Sequence, residues 1–203
     1  MQTGIQFIKH ILDLWIPTFA GMMTFYAPSK TELQEEEAMS GVTVKVIFQD
    51  IKKLATEALI VGFYEDVRPL KGVAGELDWL LCGALSSLVL TKKLRGSLGD
   101  VALVTSQGKV PAQKIFLVGM GPRAGLTPTT LRSAAKTAAA SAVGAGVRSA
   151  AIEYFPTPDM PQDDGVKALH QGLNEGAGGR SFDVQLLASD AVAYEKLSRS
   201  LNQ

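Results

Sequence analysis

The chain has 203 residues, of which 46% are hydrophobic and 20% are charged, so it is long and apolar enough to fold around a sizeable core. Lys plus Arg and Asp plus Glu both number 20, and this zero net charge argues against a dedicated nucleic-acid binder, which would carry a basic excess. The single cysteine, Cys82, excludes an internal disulfide and favours a reducing compartment. We expect it to be a small buried residue of an apolar helical stretch, because no His or Asn context for a catalytic thiol accompanies it.

Residues 1–38 differ from the rest of the chain. The run from Ile11 to Ala27 is mostly apolar, but it is interrupted by Asp13 and is too short and too broken for a membrane span. The basic Lys9 before this run leaves a signal peptide open, although Asp13 inside the run and Pro28 after it argue against one. No membrane association is therefore predicted from this segment.

Met39 stands directly before the first clear strand pattern. The stretch WIPTFAGMMT, from Trp15 to Thr24, resembles translated repetitive bacterial DNA rather than part of a domain, and Glu35 to Glu37 are typical of a solvated linker. We therefore interpret Met39 as the natural start. On this interpretation residues 1–38 are an N-terminal extension and residues 39–203 form the domain.

The first half of the domain shows strand patterns around one helical pattern. Val42 to Phe48 alternate between apolar and polar residues, and Ala58 to Phe63 form a continuous apolar run that is typical of a strand covered on both faces. Two further apolar runs, Val101 to Val104 and Ile115 to Val118, are separated by a turn around Gly108 and predict an antiparallel pair. Before these two runs, after the glycines at 72 and 75, one helix is predicted from four residues at helical spacing: Leu77, Leu81, Ala84 and Leu88.

The second half opens with the clearest helix start in the chain. Thr127 is placed as the N-cap and Pro128 as the first helical residue, and Gly144 and Gly146 end the helix. Four further elements are predicted: a strand at Ala150 to Glu153, a loop marked by Pro156, Pro158 and Pro161, a helix at Asp163 to Asn174, and a strand at Val184 to Leu187. A final helix is capped by Ser189, and Tyr194, Leu197 and Leu201 share one of its faces. The alternation of strands and helices predicts an α/β fold with a mixed β-sheet flanked by helices.

One glycine-rich motif follows a predicted strand. Gly119 to Ala124 (GMGPRA) formally match the dinucleotide-binding pattern G-x-G-x-x-G/A. However, Pro122 interrupts the turn, the helix begins only at Thr127, and the nearest acidic residue at a strand end, Glu153, comes too late in the chain. We therefore interpret the motif as a strand-to-helix turn, and nucleotide binding here stays the minor hypothesis.

Few residues are suited to hold a metal ion. Asp163 and Asp164 are adjacent, but at a helix start they are more simply explained as a cap and a partner of the helix dipole. The two histidines, His10 and His170, lie far apart in sequence. We predict no metal ligand and no cofactor.

Several stretches together carry a family resemblance, in their order and spacing over about residues 42–153. They are Ala58 to Asp66 (ALIVGFYED), Gly72 to Gly83, Gly96 to Asp100 (GSLGD), Pro111 to Gly121 (PAQKIFLVGMG) and Leu126 to Lys136 (LTPTTLRSAAK). In this combination the chain resembles the N-terminal domain of the cytosolic leucyl aminopeptidases. The resemblance implies a macro-domain-like three-layer architecture.

The resemblance also implies a function. In that family the two-metal chemistry belongs to a C-terminal domain with an Asn-Thr-Asp-Ala-Glu-Gly-Arg signature, which this chain lacks. We therefore expect a cytoplasmic, non-catalytic domain with no catalytic, cofactor-binding or metal residues, which acts as a structural, oligomerisation or protein-interaction module. The implied partner is another copy or a separate metallopeptidase domain, and the C-terminal helix face with Tyr194, Leu197 and Leu201 is expected to be exposed for it. The alternative is a macro-domain-like binder of ADP-ribose or a related nucleotide, by analogy of fold.

Overall fold

A computed structural model describes residues 41–154 and 160–201 of the chain. The predicted extension at residues 1–38, the start at Met39 and two prolines of the predicted loop lie outside the described residues. The elements are β1 (Val42–Ile47), β2 (Ala58–Phe63), α1 (Gly72–Leu80), α2 (Ala84–Leu90), β3 (Val101–Thr105), β4 (Lys114–Gly119), a 3-10 turn (Arg123–Gly125), α3 (Pro128–Gly144), β5 (Ser149–Glu153), α4 (Gln162–Ala177), β6 (Phe182–Leu187) and α5 (Ala191–Leu201).

The six strands form one mixed sheet in the order β1-β6-β5-β2-β4-β3. All neighbours are parallel except β3 and β4, which form the predicted antiparallel pair. The continuous apolar run of β2 is explained by its place in the interior of the sheet, where all six of its residues are buried. The carboxyl ends of β2, β4 and β5 therefore lie side by side at one edge.

Helices cover both faces of this sheet. Because side chains alternate along a strand, Ile60 and Phe116 pack into one core with α3, α4 and Leu197 of α5. Their neighbours Leu59 and Ile115 pack into a second core with α1 and α2. This arrangement confirms the predicted α/β fold with three layers.

The start of α3 is confirmed in detail. The Thr127 side chain accepts a hydrogen bond from the Thr130 N–H at 3.2 Å, and the Thr130 hydroxyl accepts one from the Thr127 N–H at 2.8 Å. This reciprocal pair satisfies two amides that the helix itself leaves without a partner. Four residues at helical spacing along one face of α3 are all buried: Leu131, Ala135, Ala138 and Ala142.

The prediction of one helix across Leu77 to Leu88 is wrong, because the structure has two helices, α1 and α2, over these residues. Their axes differ by 108°, and the break falls at Cys82 and Gly83, whose φ angles are +54° and +82°. The helical spacing of apolar residues continues through the break, so periodicity alone did not reveal it. The prediction that Cys82 is buried is also wrong, since this turn exposes its side chain.

Two predictions for the last helix are corrected. Asp190, not Ser189, caps α5, because its Oδ1 accepts a 2.7 Å hydrogen bond from the Ala193 N–H. Leu197 is only 1% exposed and belongs to the domain's own core, with Leu201 packed against the same cluster. Tyr194 is exposed as predicted, at 40%, but the rest of the face expected to bind a partner is used inside the domain.

Candidate interaction groove and strand-end pocket

An open groove lies along the end of α1, beside the break that precedes α2. Its lining includes Leu70, Asp78, Trp79, Leu80, Cys82 and Lys109, and we call it the Trp79 groove. Trp79 is 77% exposed, which is unusual for a side chain that is normally well buried. The helical geometry explains the exposure: α1 buries Ala74 and Leu77, and Trp79 lies about 200° around the helix from Leu77.

The shape of the groove is fixed by a contact across the helix break. The Asp78 carboxylate accepts hydrogen bonds from the Ser86 N–H at 2.9 Å and from the Ser86 hydroxyl at 2.5 Å. Asp78 thus satisfies an amide in the first turn of α2 that no residue of α2 itself caps. This contact ties α1 to α2 and keeps Trp79 and Cys82 on the same open surface.

A second feature, the strand-end pocket, lies at the carboxyl ends of the parallel strands. Glu153 is the last residue of β5, and its Oε1 accepts a 3.1 Å hydrogen bond from the Val73 N–H in the first turn of α1. Its Oε2 is buried and has no hydrogen-bond partner among the described residues. Burial raises the pKa of the Glu153 carboxyl from 4.5 to about 7, and the hydrogen bond from Val73 counteracts this only in part.

The pocket is a cavity of about 90 Å³. Among the described residues, its lining comprises Gly62, Phe63, Tyr64, Val67, Leu70, Lys71, Gly72 and Glu153. Gly72 has a φ angle of +60°, and a Cβ atom there would overlap Glu153 Oε1. Only glycine therefore allows the carboxylate to reach the helix start. Sequence reasoning noted Glu153 merely as a distant acid, because its partner lies 80 positions earlier in the chain.

The Gly119 to Ala124 motif forms a strand-to-helix turn in which the amides of Gly119, Gly121 and Arg123 are hydrogen-bonded within the chain. The Gly119 N–H donates to the Asp100 carbonyl and the Gly121 N–H to the Gly96 carbonyl, both at 2.8 Å. The Arg123 N–H donates to Asp66 Oδ1 at 2.9 Å. These donors are not directed at a ligand, so the structure supports the interpretation made from the sequence.

The remaining sequence candidates do not converge on one site. Asp163 and Asp164 lie in the first turn of α4, as a helix-dipole interaction requires, but neither caps the helix. Asp163 instead accepts a hydrogen bond from the Ser200 hydroxyl of α5, while His170 lies beside Asn174. His10 is outside the described residues. Within residues 41–154 and 160–201, no group of three or more His, Cys, Asp or Glu side chains is placed to hold a metal ion.

No single helix in the part of the chain that the structure describes is long and apolar enough to cross a membrane, although the bent pair α1 and α2 would be, by length and composition only, when the two are taken together.

Comparison with known proteins decides the family. Residues 60–177 match the N-terminal domain of the cytosol aminopeptidase family. The chain belongs to this family. A probable cytosol aminopeptidase of Geobacter sulfurreducens is 34% identical over 144 residues, which are 70% of this chain and 28% of the relative. One of Alkaliphilus metalliredigens is 34% identical over 89 residues, which are 44% of this chain and 18% of the relative. The chain thus spans less than a third of the curated relatives it matches.

Solved structures confirm the fold. A tomato leucine aminopeptidase mutant has a TM-score of 0.61 at 18% identity, and the match covers 80% of this chain and 36% of that one. The Oceanobacillus iheyensis macrodomain with ADP has a TM-score of 0.65 at 14% identity, and the match covers 81% and 92% of the two chains. The macro-domain-like architecture expected from the resemblance is therefore confirmed for this member of the cytosol aminopeptidase family.

Proposed function

We propose that this N-terminal domain is a non-catalytic docking module, which packs against the metallopeptidase domain of a cytosol aminopeptidase through the Trp79 groove. The observation that carries the proposal is the 77% exposure of Trp79 in a groove with apolar and polar walls. Tryptophan is among the residues that contribute most to protein–protein binding when they are buried at the centre of an interface. Asp78 and Lys109 contribute polar groups to the lining, as the rim of an interface requires.

The choice of partner follows from the family. More than two thirds of the length of each of these relatives lies outside the part that this chain matches. The resemblance assigns the two-metal chemistry to that remaining part, which would also be expected in the same compartment, the cytoplasm. A peptidase domain is therefore the partner that the family relationship supports best, and a second copy of this chain is the competing occupant.

The nucleotide-binding alternative has weaker support. The strand-end pocket does lie where open α/β sheets often bind ligands, at the carboxyl ends of parallel strands. However, the Val73 N–H at the start of α1 is already bound by the Glu153 carboxylate, whose negative charge would repel a diphosphate. A calorimetric titration with ADP-ribose should therefore show no saturable binding, and tight binding that Glu153→Gln strengthens or weakens would favour the alternative instead.

The docking proposal is tested by co-expressing the chain with the peptidase domain of a family member and purifying through a tag on the chain. We expect sedimentation to show a stoichiometric complex. Trp79→Ser should lower the affinity of this complex by about tenfold or more, as the loss of a central interface residue does. The matched control is Val192→Ser, which changes an apolar residue that is 63% exposed on α5, across the sheet. A complex equally sensitive to both changes, or self-association of the chain alone that Trp79→Ser abolishes, would contradict the chosen partner.

A further inference from the structure

The strand-end pocket holds a carboxylate oxygen whose bonding is incomplete within the described part of the chain. Glu153 Oε1 is bound by the Val73 N–H, while Oε2 is buried and lacks a hydrogen-bond partner there. A buried carboxylate oxygen in this state is costly unless a donor or a cation reaches it. Glu153 lines the cavity while its Oε2 atom is buried, so a donor that enters the cavity meets this side chain and reaches Oε2 through a turn of the carboxyl group.

The size and walls of the cavity restrict what can enter. A volume of about 90 Å³ is several times the 10–15 Å³ or so that one water requires, so a small organic group fits. Three side chains of the lining, Phe63, Val67 and Leu70, are apolar or aromatic. The complementary ligand therefore combines one positively charged donor with a short hydrocarbon substituent.

We propose that the strand-end pocket binds a primary ammonium group that carries a short apolar substituent, with Glu153 as its counter-ion. An ammonium group donates up to three hydrogen bonds and pairs directly with a carboxylate. The amino group of an apolar amino acid or of a peptide has this chemistry, and so does a simple alkylamine.

Other ligand classes fit the pocket less well. An anion would face the Glu153 carboxylate, and the Val73 amide that could attract it is occupied. A hard divalent cation needs six or more oxygen ligands, whereas Glu153 is the sole carboxylate that the described residues contribute to the cavity lining. The other ionisable groups that they contribute are Tyr64 and Lys71, and neither is a carboxylate. The nearby Asp66 is engaged with the Arg123 N–H.

The test is a chemical-shift titration of the full chain at about pH 8, where Glu153 is largely ionised. The probes are 3-methylbutylammonium and its uncharged analogue 3-methylbutanol. We expect saturable shifts at residues around Gly72 and Glu153 with the ammonium, at an affinity about tenfold or more above that of the alcohol, because one charge-assisted hydrogen bond has that effect. Equal affinities, shifts located elsewhere, or no saturation by the ammonium would overturn the proposal, and this comparison needs no variant.

Glu153→Gln provides the second arm, since the amide keeps the size of the side chain and can still accept from Val73. The variant should retain the wild-type shifts of the alcohol and lose the preference for the ammonium. A variant that still prefers the ammonium would contradict the role of Glu153. L-Leucinamide and N-acetyl-L-leucinamide then distinguish an amino terminus from a simple amine as the natural ligand. If L-leucinamide binds and its N-acetyl form does not, the site is assigned to an amino terminus. If neither binds while 3-methylbutylammonium does, the site is assigned to simple amines. In both cases the chemical shifts of Trp79 should stay unchanged, which distinguishes this site from the Trp79 groove.

Discussion

Glu153 accepts its hydrogen bond from the N–H of Val73, so a residue at the end of β5 satisfies an amide at the start of α1. The residue at the usual N-cap position, Lys71, makes no side-chain capping bond. The start of α1 is therefore capped by Glu153, which lies 80 positions later in the chain and whose carboxyl pKa is raised by burial. This pairing couples the layer of α1 and α2 to the sheet.

The first prediction is that Glu153 makes stability depend on pH. Its pKa is raised from 4.5 to about 7 in the folded state, so the folded chain binds the proton more tightly than the unfolded chain does. The resulting stabilisation is complete below about pH 4.5 and is lost as the pH rises through 7. We expect a loss of about 3 kcal/mol in the free energy of unfolding over this interval. Urea unfolding of wild type and Glu153→Gln at several pH values measures it, and parallel pH profiles of the two would contradict the account.

The second prediction concerns the close contact of α3 and α4. A Cβ atom on Gly172 would overlap the backbone carbonyl oxygen of Arg132, so Gly172→Ala must push the two helices apart. We expect a loss of about 1–3 kcal/mol. Gly144→Ala is the matched control, because nothing lies within 4 Å of its Cβ position and alanine should be neutral or up to about 1 kcal/mol more stable. Denaturant midpoints of the two variants decide this, and equal effects would show that the helices are not in close contact.

The same contact illustrates what the sequence could and could not predict. The sequence locates the strands well because the central ones are buried on both faces and appear as continuous apolar runs. It also locates the start of α3, because Thr127 and Pro128 are local signals. The helix predicted to end at Asn174 continues to Ala177, and Gly176 lies in this last turn because a side chain there would overlap α3. The helix break at Cys82 and the pairing of Glu153 depend on backbone angles and on distant contacts, which neither periodicity nor composition encodes.

The third prediction separates the two sides of α5. Leu197 is 1% exposed, so Leu197→Ala should cost about 2–4 kcal/mol of stability through the lost burial and the cavity it leaves. Val192 is 63% exposed, and Val192→Ala should change stability by less than about 0.5 kcal/mol. The midpoints of thermal unfolding of the two variants and of the wild type measure both effects. If Leu197→Ala were neutral, α5 would not be anchored in the core, and the earlier expectation of an exposed face would regain its basis.

The fourth prediction is that the purified chain does not hydrolyse leucyl substrates, with or without added manganese or zinc. A two-metal site needs several carboxylates that converge on ions about 3.5–4 Å apart, and no such ligand group occurs in the ranges that the structure describes. Release of a chromogenic amine from a leucyl substrate is the assay. Metal-dependent turnover that follows the chain through several columns would overturn the non-catalytic assignment.

The docking role is tested most directly by the fluorescence of Trp79 itself. The chain has two tryptophans, so a Trp15→Phe variant leaves Trp79 as the only one, and a partner domain whose own tryptophans are replaced adds no signal. On addition of a cytosol aminopeptidase peptidase domain, we predict that the Trp79 emission shifts to shorter wavelength and that acrylamide quenching falls, because the side chain passes from water into an interface. A complex that forms while the emission and quenching of Trp79 stay unchanged would contradict the central claim that the Trp79 groove is the docking surface.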